Sequence, residues 1–309
     1  MRVSVVIPCH NAEAWVADTL DSVLGQWRQP EQIIVVNDNS TDDSAGVIRR
    51  FGDRVHLIET AKGNAAAARN LGIQYAQGDV VAFLDADDVW YPWHLERSIA
   101  CLEGSDDVAT MSLRDTLWDN GRQDFMRIRW GIERTTIGLT AEQCYRYWLT
   151  EPWWNTIVTV ARRGRLEEIG GFDETQKGGQ DLDLWLRLIV DRTWSFLPHA
   201  TARRRGDTPG SVSRTNRVRQ IYYTFRGFLL NRPDPADPAY EALLSRYARS
   251  AVSIALLRPD APDAAEYLRK AWPHLDARDR AFFRSARCFP QGYRLIHRLR
   301  QRLIHGPAT

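Results

Sequence analysis

Asp85-Ala86-Asp87-Asp88 closes the apolar run Asp79-Val80-Val81-Ala82-Phe83-Leu84 with three carboxylates in four residues. Two carboxylates one residue apart can clasp a hard divalent cation, and such a cation commonly bridges phosphate oxygens. A solvated acidic turn has the same composition, so the pair takes its meaning from the residues around it. Asp38 follows Ile33-Ile34-Val35-Val36-Asn37 in a polar turn, where a carboxylate can accept the N–H of a nucleobase or cap a helix. Arg69 sits in an alanine-rich stretch and supplies a cation for phosphate or for a surface ion pair. Asp181 follows Gly178-Gly179-Gln180 and suits a general base, or the acidic first turn that a helix dipole favours.

These residues need a scaffold, and the chain supplies a repeating one. Val3 to Ile7 is a β-branched run closed by Pro8, which predicts a buried strand and a turn. Asn11 is placed to cap a helix whose apolar stripe is Trp15, Val16, Leu20, Val23 and Leu24. Ile33 to Val36 gives a second strand, and Asn37 to Asp42 a turn and cap for a helix through Ile48. Val55 to Ile58 gives a third strand, after which Gly63-Asn64 opens a helix over Ala65 to Ala76. Gly78-Asp79 then turns the chain into the strand that ends at the acids. This alternation predicts an α/β fold with a mostly parallel central sheet flanked by helices. The acids fall at the C-terminal edge of a central strand, where open α/β sheets place their ligand crevice.

From about Glu103 to Thr150 the pattern is irregular and rich in aromatics. Asn155 to Val160 and Ser195 to Leu197 read as strands, and Leu182 to Val190 as an amphipathic helix. Arg203-Arg204-Arg205-Gly206-Asp207 opens a basic loop that either holds phosphate or is simply solvated. From about Asn216 the pattern is helical, so the boundary falls near residue 215, with domains at 1–215 and 216–309.

Composition narrows the classes. Lys and Arg number 41 against 39 Asp and Glu, a net charge of +2 that implies no nucleic-acid partner. Cys9, Cys101, Cys144 and Cys288 are scattered without metal-ligand spacing, as free thiols in a reducing compartment are. The start has no signal-peptide layout, and no apolar run approaches the ~20 residues that span a bilayer. The expectation is a cytoplasmic protein, soluble or peripherally attached at the inner face of the membrane. The 12 tryptophans, many between Trp90 and Trp154, serve the core or line a cleft.

Taken in order, the motifs resemble family 2 glycosyltransferases. They are Val3 to Asn11, Ile33 to Asp42, Ala68-Arg69-Asn70, Asp85-Ala86-Asp87, Gly170-Gly171-Phe172-Asp173 and Gln180-Asp181, over about two thirds of the chain. The resemblance implies a GT-A nucleotide-binding domain and inverting, non-processive, metal-dependent transfer of a sugar from a nucleotide-diphosphate donor, UDP or dTDP favoured. The acceptor would be a hydroxyl of a glycan or lipid-linked molecule in surface polysaccharide assembly. It also implies roles. Asp38 would recognise uracil or thymine, with Pro8, His10 and Glu13 packing the base and ribose. Arg69 would neutralise the pyrophosphate. Asp87 would bind Mg²⁺ or Mn²⁺ directly, and Asp85 would contact the ribose or a metal-bound water. Asp181 would be the catalytic base.

The chain departs from the family pattern in three places. Gln180 stands where many members have Glu, no Gln-x-x-Arg-Trp motif follows, and Arg205-Gly206-Asp207 lacks the His that some members carry. The alternative reading is a catalytically inactive GT-A protein that binds nucleotide sugar or works through its helical C-terminal region. Retention of Asp38, Asp85, Asp87 and Asp181 together favours the enzyme. A sugar nucleotidylyltransferase would need a glycine-rich basic loop after the first strand, and Pro8-Cys9-His10-Asn11 is not one. Finally, Gly292 to Ile304 reads as a helix with a leucine stripe and a dense arginine face. Such a helix either lies on an anionic membrane or docks on the protein by its stripe. Nothing in the sequence sets the oligomeric state.

Overall fold

A computed structural model describes residues 1–118, 120–125, 134–150, 155–176, 178–206, 217–231, 233, 237–257 and 264–288. The first half alternates strand and helix: β1 (Val3–Cys9), α1 (Val16–Leu24), β2 (Gln32–Asp38), α2 (Ser44–Arg49), β3 (His56–Thr60), α3 (Ala65–Tyr75) and β4 (Val80–Phe83). It continues through β5 (Val89–Trp90), α4 (His94–Glu103), β6 (Ala109–Leu117), β7 (Gln123–Phe125), β8 (Thr136–Leu139) and α5 (Ala141–Thr150). After these come β9 (Thr159–Arg162), α6 (Arg163–Glu168), α7 (Gln180–Ile189) and β10 (Trp194–Arg205). The ten strands among the described residues form one sheet in the order β3-β2-β1-β4-β9-β6-β10-β5, with β7 added on β6 and β8 on β10.

β3, β2, β1 and β4 pair in parallel, as the continuous Val/Ile runs of strands buried on both faces predict. Beyond β4 the sheet is mixed. β9 runs antiparallel between β4 and β6, β10 is parallel to β6, and β5 is antiparallel to β10. The predicted strand at Asn155 to Val160 begins later, because Asn155 caps a 3₁₀ turn over Thr156–Val158 by accepting the Ile157 N–H at 3.1 Å. The expected short strand at Ser195 extends to Arg205 through two register shifts against β6.

Two helices are held in ways that matter to the site. α3 is capped by Asn64, whose side chain accepts the Ala66 N–H, as expected. Gly72 in α3 lies directly over β1, since a Cβ there would come within 2.3 Å of Val6 Cγ1. By contrast, Asn11 does not cap α1. It adopts φ 51°, and its Oδ1 accepts the Thr41 N–H at 2.7 Å, lacing the loops after β1 and β2 together.

The last described elements are helical: α8 (Arg217–Leu230), α9 (Pro238–Leu257), α10 (Ala264–Ala271) and α11 (Ala277–Cys288). Phe225, Phe228, Tyr240 and Leu243 belong to the same buried cluster as Val6 and Phe83 of the sheet and Trp185 of α7. Phe228 meets Trp148 of α5 at 5.4 Å between ring centroids, and Tyr240 meets Tyr145 at 4.8 Å. Residue 215 and the Gly292 to Ile304 stretch lie outside the described residues. Among the described residues no helix is long and apolar enough to cross a membrane.

Candidate active site

Pro8, His10, Asp38, Arg69, Asp85, Asp87 and Asp181 line one cleft of about 570 Å³. It opens where β1, β2 and β4 end. Asp38 is the last residue of β2 and is buried. Its carboxylate accepts the N–H of Gly63 at 2.9 Å and of Asn64 at 2.8 Å, which orients it and anchors the entry to α3. A carboxylate has about four lone-pair positions, so acceptor capacity remains. His10 Nδ1 lies 2.7 Å from the Asp38 carbonyl oxygen and donates to it.

Glu13 is the exception among the candidates. It is exposed, away from the cleft lining, and its Oε2 accepts the Asp43 N–H at 3.1 Å. Its own N–H donates to Asp42 Oδ2 at 3.0 Å, so it serves the junction between two loops.

The acidic loop is held from behind. Thr19 of α1 is buried, and its Oγ1 lies 2.9 Å from the Ala86 carbonyl oxygen and 2.8 Å from that of Asp88. Asp85 forms an ion pair with Arg69 at 2.6 Å, so the predicted pyrophosphate cation faces an acid of the predicted metal motif. Arg69 is buried over the Phe172 ring at 5.5 Å, and its Nε has no hydrogen-bond partner. Asp88 is also buried, and its Oδ1 accepts the Arg205 N–H at 2.8 Å. Burial, followed by the charges of Asp87 and Asp85, pushes the Asp88 carboxyl well above the ordinary range.

Asp181 lies in the first turn of α7, two residues after Gly179 at φ 65°. Its Oδ1 accepts the Leu182 N–H at 2.9 Å. Burial pushes its carboxyl up, while that N–H and the Arg69 charge pull it partly back. The Gly170-Gly171-Phe172-Asp173 turn and Asn70 set this helix against α3. Asn70 Oδ1 accepts the Phe172 N–H at 2.8 Å, and Asn70 Nδ2 donates to the Phe172 carbonyl at 2.9 Å. Gly171 has φ 66°, and a Cβ there would sit 2.5 Å from Asn70 Oδ1. Arg187 of α7 then donates to the carbonyls of Ile169 at 2.7 Å and Gly171 at 2.8 Å.

Trp15, Asp88, Asn155 and Arg204 also line the cleft; the sequence presents Asp88 in the acidic run and Arg204 in a basic loop open to phosphate, and gives no site role to Trp15 or Asn155. Trp15 reads in sequence as part of the apolar stripe of α1. Arg204 carried a signal, as part of a basic run at a strand end.

Asp85 and Asp87 offer hard oxygen donors. Among the described residues no three His, Cys, Asp or Glu side chains group to hold a metal ion alone. That donor set fits Mg²⁺ or Mn²⁺ shared between one or two carboxylates and phosphate oxygens, the usual arrangement for Mg²⁺.

Residues 4–156 match the sequence model of glycosyl transferase family 2. TuaG of Bacillus subtilis strain 168, a putative teichuronic acid biosynthesis glycosyltransferase, is 38% identical over 101 residues, 31% of this chain and 40% of that one. The Escherichia coli UDP-Glc:alpha-D-GlcNAc-diphosphoundecaprenol beta-1,3-glucosyltransferase WfgD is 39% identical over 103 residues, 32% of this chain and 40% of its own. The chain thus spans about 40% of the length of these two relatives. The crystal structure of S. aureus TarS 1-349 in complex with UDP-GlcNAc superposes with a TM-score of 0.70 at 18% identity. That superposition covers 95% of this chain and 89% of the other, and it establishes the GT-A type of fold.

Proposed function

The chain belongs to glycosyl transferase family 2, and on that premise we propose that it transfers a sugar with inversion from a nucleoside-diphosphate sugar to an acceptor hydroxyl. The acceptor class we assign is a glycan or lipid-linked saccharide of surface polysaccharide assembly, and the donor class a UDP- or dTDP-sugar. The observation that carries the reading is the meeting of Asp38, Arg69, Asp85, Asp87 and Asp181 in one cleft. They come from four separate stretches of chain. The relatives support it as well: WfgD is named for a UDP-Glc donor and a diphosphoundecaprenol-linked acceptor, and TarS was solved with UDP-GlcNAc.

Each residue then has a defined task. Asp38, oriented by Gly63 and Asn64, accepts a ring N–H of a pyrimidine base. Pro8 and His10 pack beside base and ribose. Asp87, with Asp85 adjacent, would hold the divalent cation, which neutralises charge developing on the leaving diphosphate. Arg69 fixes Asp85 and places a second positive charge at the same end of the cleft. Asp181 removes the proton from the acceptor hydroxyl on the face opposite the leaving group. Its raised basicity suits that role, because a carboxylate of ordinary pKa is a weaker base.

The test is a panel of UDP- and dTDP-sugars with Mn²⁺ or Mg²⁺, read by release of the nucleoside diphosphate and by NMR of the anomeric proton in the product. One cognate donor whose anomeric configuration inverts is expected. Retention of configuration would refute the inverting assignment, and no turnover with any donor while UDP binds would refute the enzymatic reading.

A further inference from the structure

Arg204 is a guanidinium in the cleft that nothing described so far employs. It lies at the end of β10 and lines the cleft with Asp85, Asp87 and Asp88. Its Nε is buried without a hydrogen-bond partner, and among the described residues no carboxylate forms an ion pair with it. Its neighbours differ. Arg205 reaches Asp18 at 2.7 Å, and Arg203 donates to the Tyr91 hydroxyl at 3.1 Å.

The parallel register explains the grouping. Ala202 pairs with Arg114 and Arg204 with Thr116, so Arg114 and Arg204 project from one face of the sheet as diagonal neighbours. Arg203 and Asp115 project from the other face, where Asp115 accepts from Tyr91. Arg114 donates to Thr116 Oγ1 at 2.7 Å, but its Nε is likewise buried and unpartnered. Burial, and then the charge of Arg204, bring the Arg114 guanidinium down to about 10. Two cations thus sit side by side; Asp88 and Asp115 are the acids that act on Arg114, and the Asp88 Oδ1 already accepts the Arg205 N–H. Holding like charges together in a part-buried site is costly unless an anion joins them.

We propose that Arg204, backed by Arg114, is an oxyanion site in the cleft separate from Arg69, and that its ligand is a phosphate group. A planar guanidinium with free donors matches phosphate geometry better than any other side chain. The phosphate can belong to the donor diphosphate or to a phosphate carried by the acceptor. This inference rests on the nucleotide-sugar reading only for the first of these sources.

The test measures binding of uridine, UDP and geranyl diphosphate by calorimetry, with EDTA and with Mg²⁺, to wild type, Arg204→Gln and Arg204→Lys. Circular dichroism checks that each variant is folded, and the lysine variant retains the charge if the glutamine variant fails. Arg204→Gln is expected to weaken a diphosphate probe about tenfold or more, with uridine unchanged and with the loss persisting in EDTA. Arg204→Lys should lose less. Weakening confined to UDP assigns the donor phosphate, and weakening confined to geranyl diphosphate assigns an acceptor phosphate. Equal affinities of wild type and both variants for both diphosphates would overturn the Arg204 assignment and leave the donor reading intact. Failure of wild type to bind UDP, with an Arg204-dependent hold on geranyl diphosphate, would instead remove the donor reading alone. If wild type binds neither diphosphate, both fall.

Discussion

At the scale of single residues, Asp181 makes the sharpest claim. Asp181→Asn keeps the shape and removes the base, so donor affinity should persist while transfer falls about 10²–10⁴-fold. Equal losses of rate and donor affinity, measured by turnover and calorimetry, would make Asp181 structural. Burial has raised its carboxyl, which fixes the sign of two pH effects. Catalysis needs the ionised form, so kcat/KM should fall on acidification at a pH above the ordinary carboxylate value of about 3.9. A raised folded pKa favours the folded state only at low pH, and that favour is lost as pH rises through the folded value. The Asn variant should therefore unfold at higher urea than wild type at neutral pH, with the gap closing in acid. His94 carries the opposite sign. It is fully buried, its Nδ1 lies 2.7 Å from Thr201 Oγ1, and burial pushes it down to about 3. Its contribution is present above about pH 6.5 and is lost as pH falls toward 3, with a slope of about 1.4 kcal/mol per pH unit. Urea unfolding across that range checks it, and a slope unchanged in His94→Phe would remove His94 as the cause.

The candidate carboxylates were legible as residues because each stands where an apolar run or a glycine pair stops. The partners they take were not. That Arg69 would face Asp85, or that Thr19 would hold the loop of Asp88, depends on contacts 16 and 69 residues apart along the chain. The tie of Glu13 to Asp43 likewise joins residues 30 apart along the chain.

Between elements, the decisive contact is the clasp of α3 on the turn before α7. It joins Ala68-Arg69-Asn70 to Gly170-Gly171-Phe172-Asp173, motifs that sequence reading could set side by side but not connect. Gly171→Ala forces a Cβ into Asn70 Oδ1 at positive φ. The variant should lose about 1–3 kcal/mol in urea unfolding, and transfer should weaken as α7 loses its seat. An alanine variant as stable as wild type would mean that the clasp is slack. The parallel half of the sheet was legible for a physical reason: strands buried on both faces read as unbroken Val and Ile runs. The placing of β9 between β4 and β6 was not, because antiparallel insertion from a distant segment leaves no local pattern.

For the whole molecule, the helices after Arg217 pack into the sheet's own core. Asn231 Nδ2 donates to Asp183 Oδ1 at 2.9 Å, and Asp183 also pairs with Arg187 at 2.7 Å, so α8 is tied to the helix that carries Asp181. Sequence periodicity gave the helices but not this union, since a polar tie between distant residues has no period. Calorimetric unfolding should show one transition in place of separate events for the two regions, and two resolved transitions would contradict the shared core.

The central claim is that one cleft binds a nucleoside diphosphate through Asp38 at the base and Asp87 at the phosphates. Calorimetric titration of UDP and dTDP into wild type, Asp38→Ala and Asp87→Ala, each with Mn²⁺ and with EDTA, tests it most directly. Metal-dependent binding to wild type is expected, with loss of most metal dependence in Asp87→Ala and weaker, less base-selective binding in Asp38→Ala. Binding by both variants with the affinity and metal dependence of wild type would contradict it.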